Sequence, residues 1–435
     1  MLKKIIACLL VLSLAIGSAT TTFAYDDDGL PEAIPVMSGS DSLPAASAVL
    51  IEQGTGRVLF SQNPDEALPP ASITKVMTML LVMEAIDSGK ISLDDLVVTS
   101  EHAASMGGSQ IWLMVGEEMT VDQLLKAVAI SSANDASVAL AEHVAGSEQA
   151  FVDMMNQRAA ILGMTNTKFY NTTGLDEEGH LSSAMDIAIM SRELMRYPLI
   201  SQYSTIWMDS LRGGATELVN TNRLVRFYEG ATGLKTGTTH GAGSCLSATA
   251  NRDGLYLIAV VMGSPTSEER FAAARGLLDY GFANYMSVAP PPVDDQLAPV
   301  RVLRGESGFV TPIYHNVGIF VVEKQHSDSL TQVVTMADDL EAPVEAGQII
   351  GQVDVMVGGE VIGSYHLRAA YEVPRMTMPR AFAALGQSLL RLSSSAPKAS
   401  TQDQQPLPEP EPPPCTCTEG ECYCEEIGDV CGCQG

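Results

Sequence analysis

The chain has 435 residues, 46% of them hydrophobic, and its 52 acids against 25 Lys and Arg give a formal charge of −27 at pH 7. That length suits about two or three domains with sizeable cores. So acidic a balance excludes nucleic acid, whose phosphates attract clustered Lys and Arg, and otherwise marks solubility alone.

In chain order, Lys3 and Lys4, an apolar run through Ile16 and Thr22-Phe23-Ala24 read as a secretory signal over residues 1–24. The run is too short to span a bilayer comfortably, and no other stretch is long enough, so the protein is expected to be exported. A polar spacer covers 25–41. Ala46–Glu52 and Arg57–Ser61 flank Gly54-Thr55-Gly56 as a β-hairpin, which Pro69-Pro70 ends. A long apolar helix is expected from about Ser72 to Ser88, and helical periodicity returns over Val121–Ala145 and Gln149–Leu162. Leu255–Met262 reads as a buried strand and Arg270–Tyr285 as a helix. Mixed elements with few βαβ repeats predict an α+β domain over 42–287.

Pro290-Pro291-Pro292 marks the next boundary, and short alternating segments with a hairpin near Gly358-Gly359 predict a small β-rich domain over 293–375. Residues 376–393 place Met378, Phe382, Leu385, Leu389 and Leu392 on one helical face, with Arg375, Arg380, Arg391 and Lys398 around it. This cationic amphipathic helix suits either an anionic membrane surface or the flank of the β-rich domain. A Pro/Glu-rich linker, 394–414, leads to a Cys-rich tail, 415–435. Six of the eight cysteines lie in that tail as Cys415-x-Cys417, Cys422-x-Cys424 and Cys431-x-Cys433; Cys8 leaves with the signal and Cys245 stands alone. The folded body therefore does not depend on disulfides. The tail reads as a disulfide knob or a thiolate metal site, and disulfides are the default outside the cell.

Three short motifs carry the chemistry: Ser72-Ile73-Thr74-Lys75, Ser132-Ala133-Asn134 and Lys235-Thr236-Gly237. Each alone is weak, since Ser395-Ala396-Pro397-Lys398 and Ser61-Gln62-Asn63 match two of them by chance. Ser72 and Lys75, three apart at a helix start, share one face. A lysine base must lose its proton near neutrality, which burial among Ile73, Val76 and Met77 and a second cation, Lys235, both promote. Ser132 and Asn134 project together only from a tight turn; a hydroxyl there shuttles a proton and an amide holds a substrate carbonyl. Lys235-Thr236-Gly237 reads as a strand edge, with two donors for a carboxylate and a glycine for close approach. No strand–G-x-x-x-x-G-K unit precedes it, so a nucleotide site is not expected. Together the motifs describe acyl transfer to a serine.

With these motifs in this order, the chain resembles the serine-type D-alanyl-D-alanine carboxypeptidases, the low-molecular-mass penicillin-binding proteins. The likeness runs from about 45 to 375 and includes Gly108-Ser109-Gln110, Leu124–Ile130, Gly233-Leu234 and Ala342–Gly351. It implies a penicillin-recognising transpeptidase/β-lactamase-like α+β domain, then a small β-rich domain and, here, a flexible Pro/Cys-rich tail. It also implies that Ser72 attacks a D-Ala-D-Ala carbonyl with Lys75 as general base and Ser132 as proton relay. Asn134, Lys235, Thr236 and Gly237 would bind substrate, with Arg270 near its carboxylate and the N–H groups of Ser72 and Thr238 as oxyanion hole. The expected partners are stem peptides of peptidoglycan and β-lactams as covalent inhibitors, with no metal or cofactor, and the precedent favours peripheral membrane contact through 376–393. Ser132-Ala133-Asn134 departs from the usual S-G-N but keeps both side chains, while the six-cysteine tail has no counterpart. A β-lactamase, needing a deacylating carboxylate from Glu177 or Glu178, and an inactive penicillin-binding sensor are the rival readings.

Overall fold

A computed structural model describes residues 42–315, 317–383 and 385–386, with the backbone of 417–418 and 421–422. The expected signal, spacer and linker and most of the Cys-rich tail lie outside the described residues. The first structural unit runs to Pro374, and a second covers Arg375–Gly435.

The first unit is organised on a five-stranded sheet in the order Val58–Gln62, Ser47–Glu52, Leu255–Ser264, Gly243–Arg252, Ala231–Thr239. All four pairings are antiparallel, and the first is the expected hairpin. The central strand Leu255–Ser264 is mostly apolar because both faces are covered. Alternate residues go to opposite cores, as a period of two requires. Leu50, Leu257, Ala259 and Val261 meet Phe271, Leu277 and Leu278 of the helix Ser267–Asn284. Val49, Ile51, Ile258, Val260 and Met262 meet a larger helical core. That core surrounds the helix Lys75–Asp87, which is buried from Lys75 through Met83. A helix buried all round has no polar face to pattern, which is why its sequence is an apolar run rather than an amphipathic one.

Two expected helices differ in ways that matter for the site. The apolar run expected to begin at Ser72 starts as a 3-10 turn, Ala71–Thr74, and becomes α-helical at Lys75. The periodicity over Val121–Ala145 is divided between Val121–Ser131 and Asn134–Ala145. Ser132 takes a left-handed conformation (φ 64°, ψ 31°), and the Asn134 N–H donates to Ser109 O at 2.7 Å instead of continuing the helical ladder. Periodicity carries through the break because both helices bury the same kind of face. The last helix of this region starts three residues early, at Ser267, and Tyr285 opens a strand instead of ending it.

Beyond Pro290 the chain is β-rich, as expected. Pro312–Ile313, Glu360–Ala369, Ile349–Val357 and Leu330–Met336 form one sheet, and Phe309–Val310, Val300–Leu303 and Asp339–Glu341 another. Gly358 and Gly359, both at positive φ, make the expected hairpin turn. Tyr285–Val288 pairs with Phe320–Glu323 and so ties this region to the preceding helix.

In the second unit, residues 378–383 and 385–386 are helical, with Met378, Phe382 and Leu385 exposed. Leu389 and Leu392 lie outside the described residues. Cys417–Thr418 pairs antiparallel with Glu421–Cys422. Among the described residues no helix is long and apolar enough to cross a membrane.

Candidate active site

The first and third motifs, which span 166 positions of sequence, meet where the 3-10 turn Ala71–Thr74 abuts the edge strand Ala231–Thr239. Ser72 is half-buried on that turn, and its Oγ receives a hydrogen bond from Lys75 Nζ at 3.0 Å. Lys75 is fully buried and donates a second bond, 2.7 Å long, to the backbone carbonyl of Thr173. Burial, and after it the charge of Lys235, holds the Lys75 amine well below the ordinary lysine range, with Asp135 opposing them. A neutral amine has two N–H groups and one lone pair. With one N–H held by Thr173, the lone pair is free to take the Ser72 proton.

Ser132 and Asn134 enter from the break between the two helices. Asn134 is held by its own amide, which donates from Nδ2 to Gly107 O at 2.6 Å. Ser132 Oγ and Asn134 Oδ1 are buried and find no hydrogen-bond partner among the described residues. Unpaired buried polar atoms are costly, and two of them only two residues apart suit a site that completes its bonding with substrate.

On the opposite wall, Lys235, Thr236 and Gly237 lie on the edge strand, as their sequence suggested. Lys235 is buried and donates to Thr236 O at 3.0 Å. Burial, with Arg270 nearby, lowers its pKa to about 7. Thr236 Oγ1 lies 2.6 Å from Thr221 Oγ1. A side chain on Gly237 would reach Ser72 N at 2.9 Å and Pro70 O at 3.0 Å, so the bare backbone there sets the width of the cleft. Arg270 braces this strand: Nη1 donates to Gly237 O (3.0 Å), Thr238 Oγ1 (2.9 Å) and Cys245 O (3.4 Å), and Nη2 to Ser267 Oγ (3.1 Å). Its pKa falls to about 10 through burial, so it stays cationic at neutral pH. Its two terminal nitrogens are occupied by these oxygens while Nε finds no partner among the described residues, and its charge reaches Lys235.

Several contributors carried no sequence signal. Thr173 acts through a backbone carbonyl, which any residue has. Asp135 is buried and accepts from the N–H groups of Ile111 and Leu113, holding the loop that Asn134 also grips. His180 is buried beneath the Ser72 turn; its Nδ1 accepts from Tyr170 N (3.1 Å), which leaves Nε2 to donate to Thr74 Oγ1 (2.8 Å). Asn171 was the readable one, an Asx-type turn signal in Asn171-Thr172-Thr173-Gly174, with its Oδ1 accepting from Gly174 N at 2.7 Å. Glu177 and Glu178 are exposed, and Glu177 bonds Asn171. No cluster suited to a metal occurs among the described residues.

Comparison with known proteins places the chain in one family. Residues 35–266 match the family profile described as D-alanyl-D-alanine carboxypeptidase, and residues 285–375 match that of the penicillin-binding protein 5 C-terminal domain. The chain is 42% identical to the D-alanyl-D-alanine carboxypeptidase DacF of Bacillus subtilis, over 86% of this chain and 95% of that one. It is 32% identical to DacA of Escherichia coli, over 84% and 92% respectively. Among solved structures, penicillin-binding protein 5 of Haemophilus influenzae superposes with a TM-score of 0.71 at 30% identity, covering 78% of this chain and all of the other.

Proposed function

Because this chain belongs to the D-alanyl-D-alanine carboxypeptidase family, we propose that Ser72, Lys75 and Ser132 carry its catalysis, that Asn134, Lys235, Thr236, Gly237 and Thr238 serve substrate, and that Arg270 supports the carboxylate end from behind the strand. The protein is a serine-type hydrolase of cell-wall peptides ending in D-Ala-D-Ala, and it binds penicillin. The observation that carries the assignment is the Lys75 amine 3.0 Å from Ser72 Oγ, its proton affinity lowered by burial and then by the charge of Lys235.

Lys235 and Thr236 receive the terminal carboxylate and Asn134 the amide of the acyl half. Ser72 Oγ attacks the penultimate D-alanine carbonyl while its proton passes to Lys75. The N–H groups of Ser72 and Thr238 hold the oxyanion, each such donor being worth about 3 kcal/mol in comparable sites. The tetrahedral centre collapses, the peptide C–N bond breaks, and Ser132 relays the Lys75 proton to the departing D-alanine nitrogen. Water then cleaves the ester and restores Ser72. Attack on a β-lactam follows the same path, but the opened ring stays attached and blocks the water step.

Family members act on peptidoglycan outside the cytoplasm. The charged start, apolar run and small-residue site over 1–24 support export of this chain, and the exposed Met378, Phe382 and Leu385 support peripheral membrane contact through 376–393. Division into a catalytic domain over 42–287 and a β-rich domain over 293–375 follows the same reading. The test is D-alanine release from a peptide ending in D-Ala-D-Ala. Wild type should release it and folded Ser72→Ala should not; no release by folded wild type would overturn the assignment.

A further inference from the structure

The carbonyl that orients Lys75 belongs to a strap, residues 171–176, that crosses from the helical half of the fold to the edge-strand hairpin. Its first end is anchored in the helical half: Thr172 N and Oγ1 donate to Glu148 Oε1 (3.0 and 2.8 Å). Thr172 O in turn accepts from Thr78 Oγ1 (2.8 Å) and Ser137 Oγ (3.0 Å). Thr173 O then receives Lys75 Nζ, and Gly174 lies so close to the nucleophile turn that a Cβ would fall 1.8 Å from Ala71 O.

The far end is held by Asp176. Although exposed, its carboxylate accepts from Thr239 Oγ1 at 2.5 Å and from Gly241 N at 3.2 Å, at the turn that follows the edge strand. Thr239 Oγ1 accepts in turn from Ala242 N at 3.0 Å. Among the described residues, these two bonds are the hydrogen bonds that join the strap to the 231–242 hairpin. An exposed carboxylate placed to grip a turn, at the end of a strap carrying the base's acceptor, does little for a core and much for registration of the cleft.

We propose that Asp176 is a positioning residue for this reaction, fastening the strap to the hairpin and so keeping the Thr173 carbonyl on Lys75 while the cleft is worked. The inference rests on Lys75 acting as the base. A general base contributes only while its lone pair is aimed at the proton it takes. With the tie cut, the strap loses its second anchor, Lys75 loses its fixed acceptor, and water gains access to an amine whose low proton affinity comes first from burial. The charged groups facing Lys75 are Lys235 from the edge strand and Asp135 from the Asn134–Ala145 helix. Those near Asp176 are His180, Glu177 and Glu178 on its own loop and His240 in the opposing turn.

The test is the second-order rate of acylation by a fluorescent penicillin as a function of pH, with thermal unfolding measured in parallel. Asp176→Ala is expected to lose about tenfold in rate at neutral pH and to move the acid limb of the profile upward, with Asp176→Asn intermediate. Thr239→Val should act in the same direction, and the double variant should be no slower than Asp176→Ala, because both cut one tie. A folded Asp176→Ala that acylates within about twofold of wild type with its acid limb unmoved would overturn the tie, as would losses that simply add. Asp176→Asn and Thr239→Val carry the same test should Asp176→Ala not fold. Wild type left unlabelled, or labelling that survives Ser72→Ala, would instead refute the acyl-serine assignment itself.

Discussion

Placing one methyl group on Gly237 separates the stability of this fold from the spacing of its reactive turn. The added Cβ would stand 2.9 Å from Ser72 N, 3.0 Å from Ala71 Cβ and 3.0 Å from Pro70 O, three atoms of the same turn. Ordinary contact begins near 3.4 Å, so the turn and the strand must part by about 0.5 Å. Overpacking of this size costs about 1–3 kcal/mol, a fall of about 2–10 °C in Tm for a domain of this length. The kinetic cost is larger, because the displaced N–H of Ser72 is a proposed oxyanion donor and the displaced Oγ the nucleophile. A misplacement of about 1 Å costs about a hundredfold, and loss of one oxyanion donor about a hundred- to a thousandfold. Gly237→Ala is therefore expected to remain folded while its acylation rate falls about 10- to 100-fold. Stopped-flow acylation alongside circular dichroism measures both. Acylation within about twofold of wild type, in a folded variant, would refute the view that the strand–turn contact sets the oxyanion site.

Two pH effects follow from the buried titratable groups. Lys235, lowered to about 7, loses its charge above that pH in the free enzyme, so kcat/KM for a carboxylate-terminated peptide should fall about tenfold per pH unit on the alkaline side. Lys235→Arg, always cationic, should remove that limb and leave the acid limb of Lys75; an unchanged alkaline limb would assign it to another group. His180, buried neutral beneath the Ser72 turn, has its pKa lowered to about 4 by burial. Its unfolded form binds a proton near pH 6.5 and its folded form does not, so its contribution is complete above that pH and is lost between about 6.5 and 4. The shift corresponds to about 3 kcal/mol, and urea unfolding of His180→Gln should show a pH dependence shallower by that order. Equal pH dependence in the two proteins would contradict the buried neutral imidazole.

Much of the site was legible because side-chain chemistry is written residue by residue. Ser72, Lys75, Ser132, Asn134, Lys235, Thr236 and Gly237 could be selected from sequence; in the fold Ser72 and Lys75 share a hydrogen bond, Gly237 lies against the Ser72 turn and the charge of Lys235 reaches Lys75. Arg270 was also selected, but its position against Gly237 O and Cys245 O makes it a brace for the strand, a distinction that spacing cannot express. The break at Ser132 escaped periodicity because the bond that interrupts the helix comes from Ser109, outside any helical window. Thr173 and Asp176 escaped altogether, one acting through its backbone and the other through a turn beyond the edge strand.

By itself, then, the sequence determined which reactive groups exist, their order, the α+β and β-rich regions and the acidic balance of the chain, since composition and periodicity are local properties. Only the tertiary structure decided that Lys235 is depressed as well as Lys75, which carbonyl orients Lys75, and how far the strand stands from the nucleophile. Those depend on burial and on Coulombic and steric contact between residues far apart in the chain, and such terms exist only once the fold has brought them together.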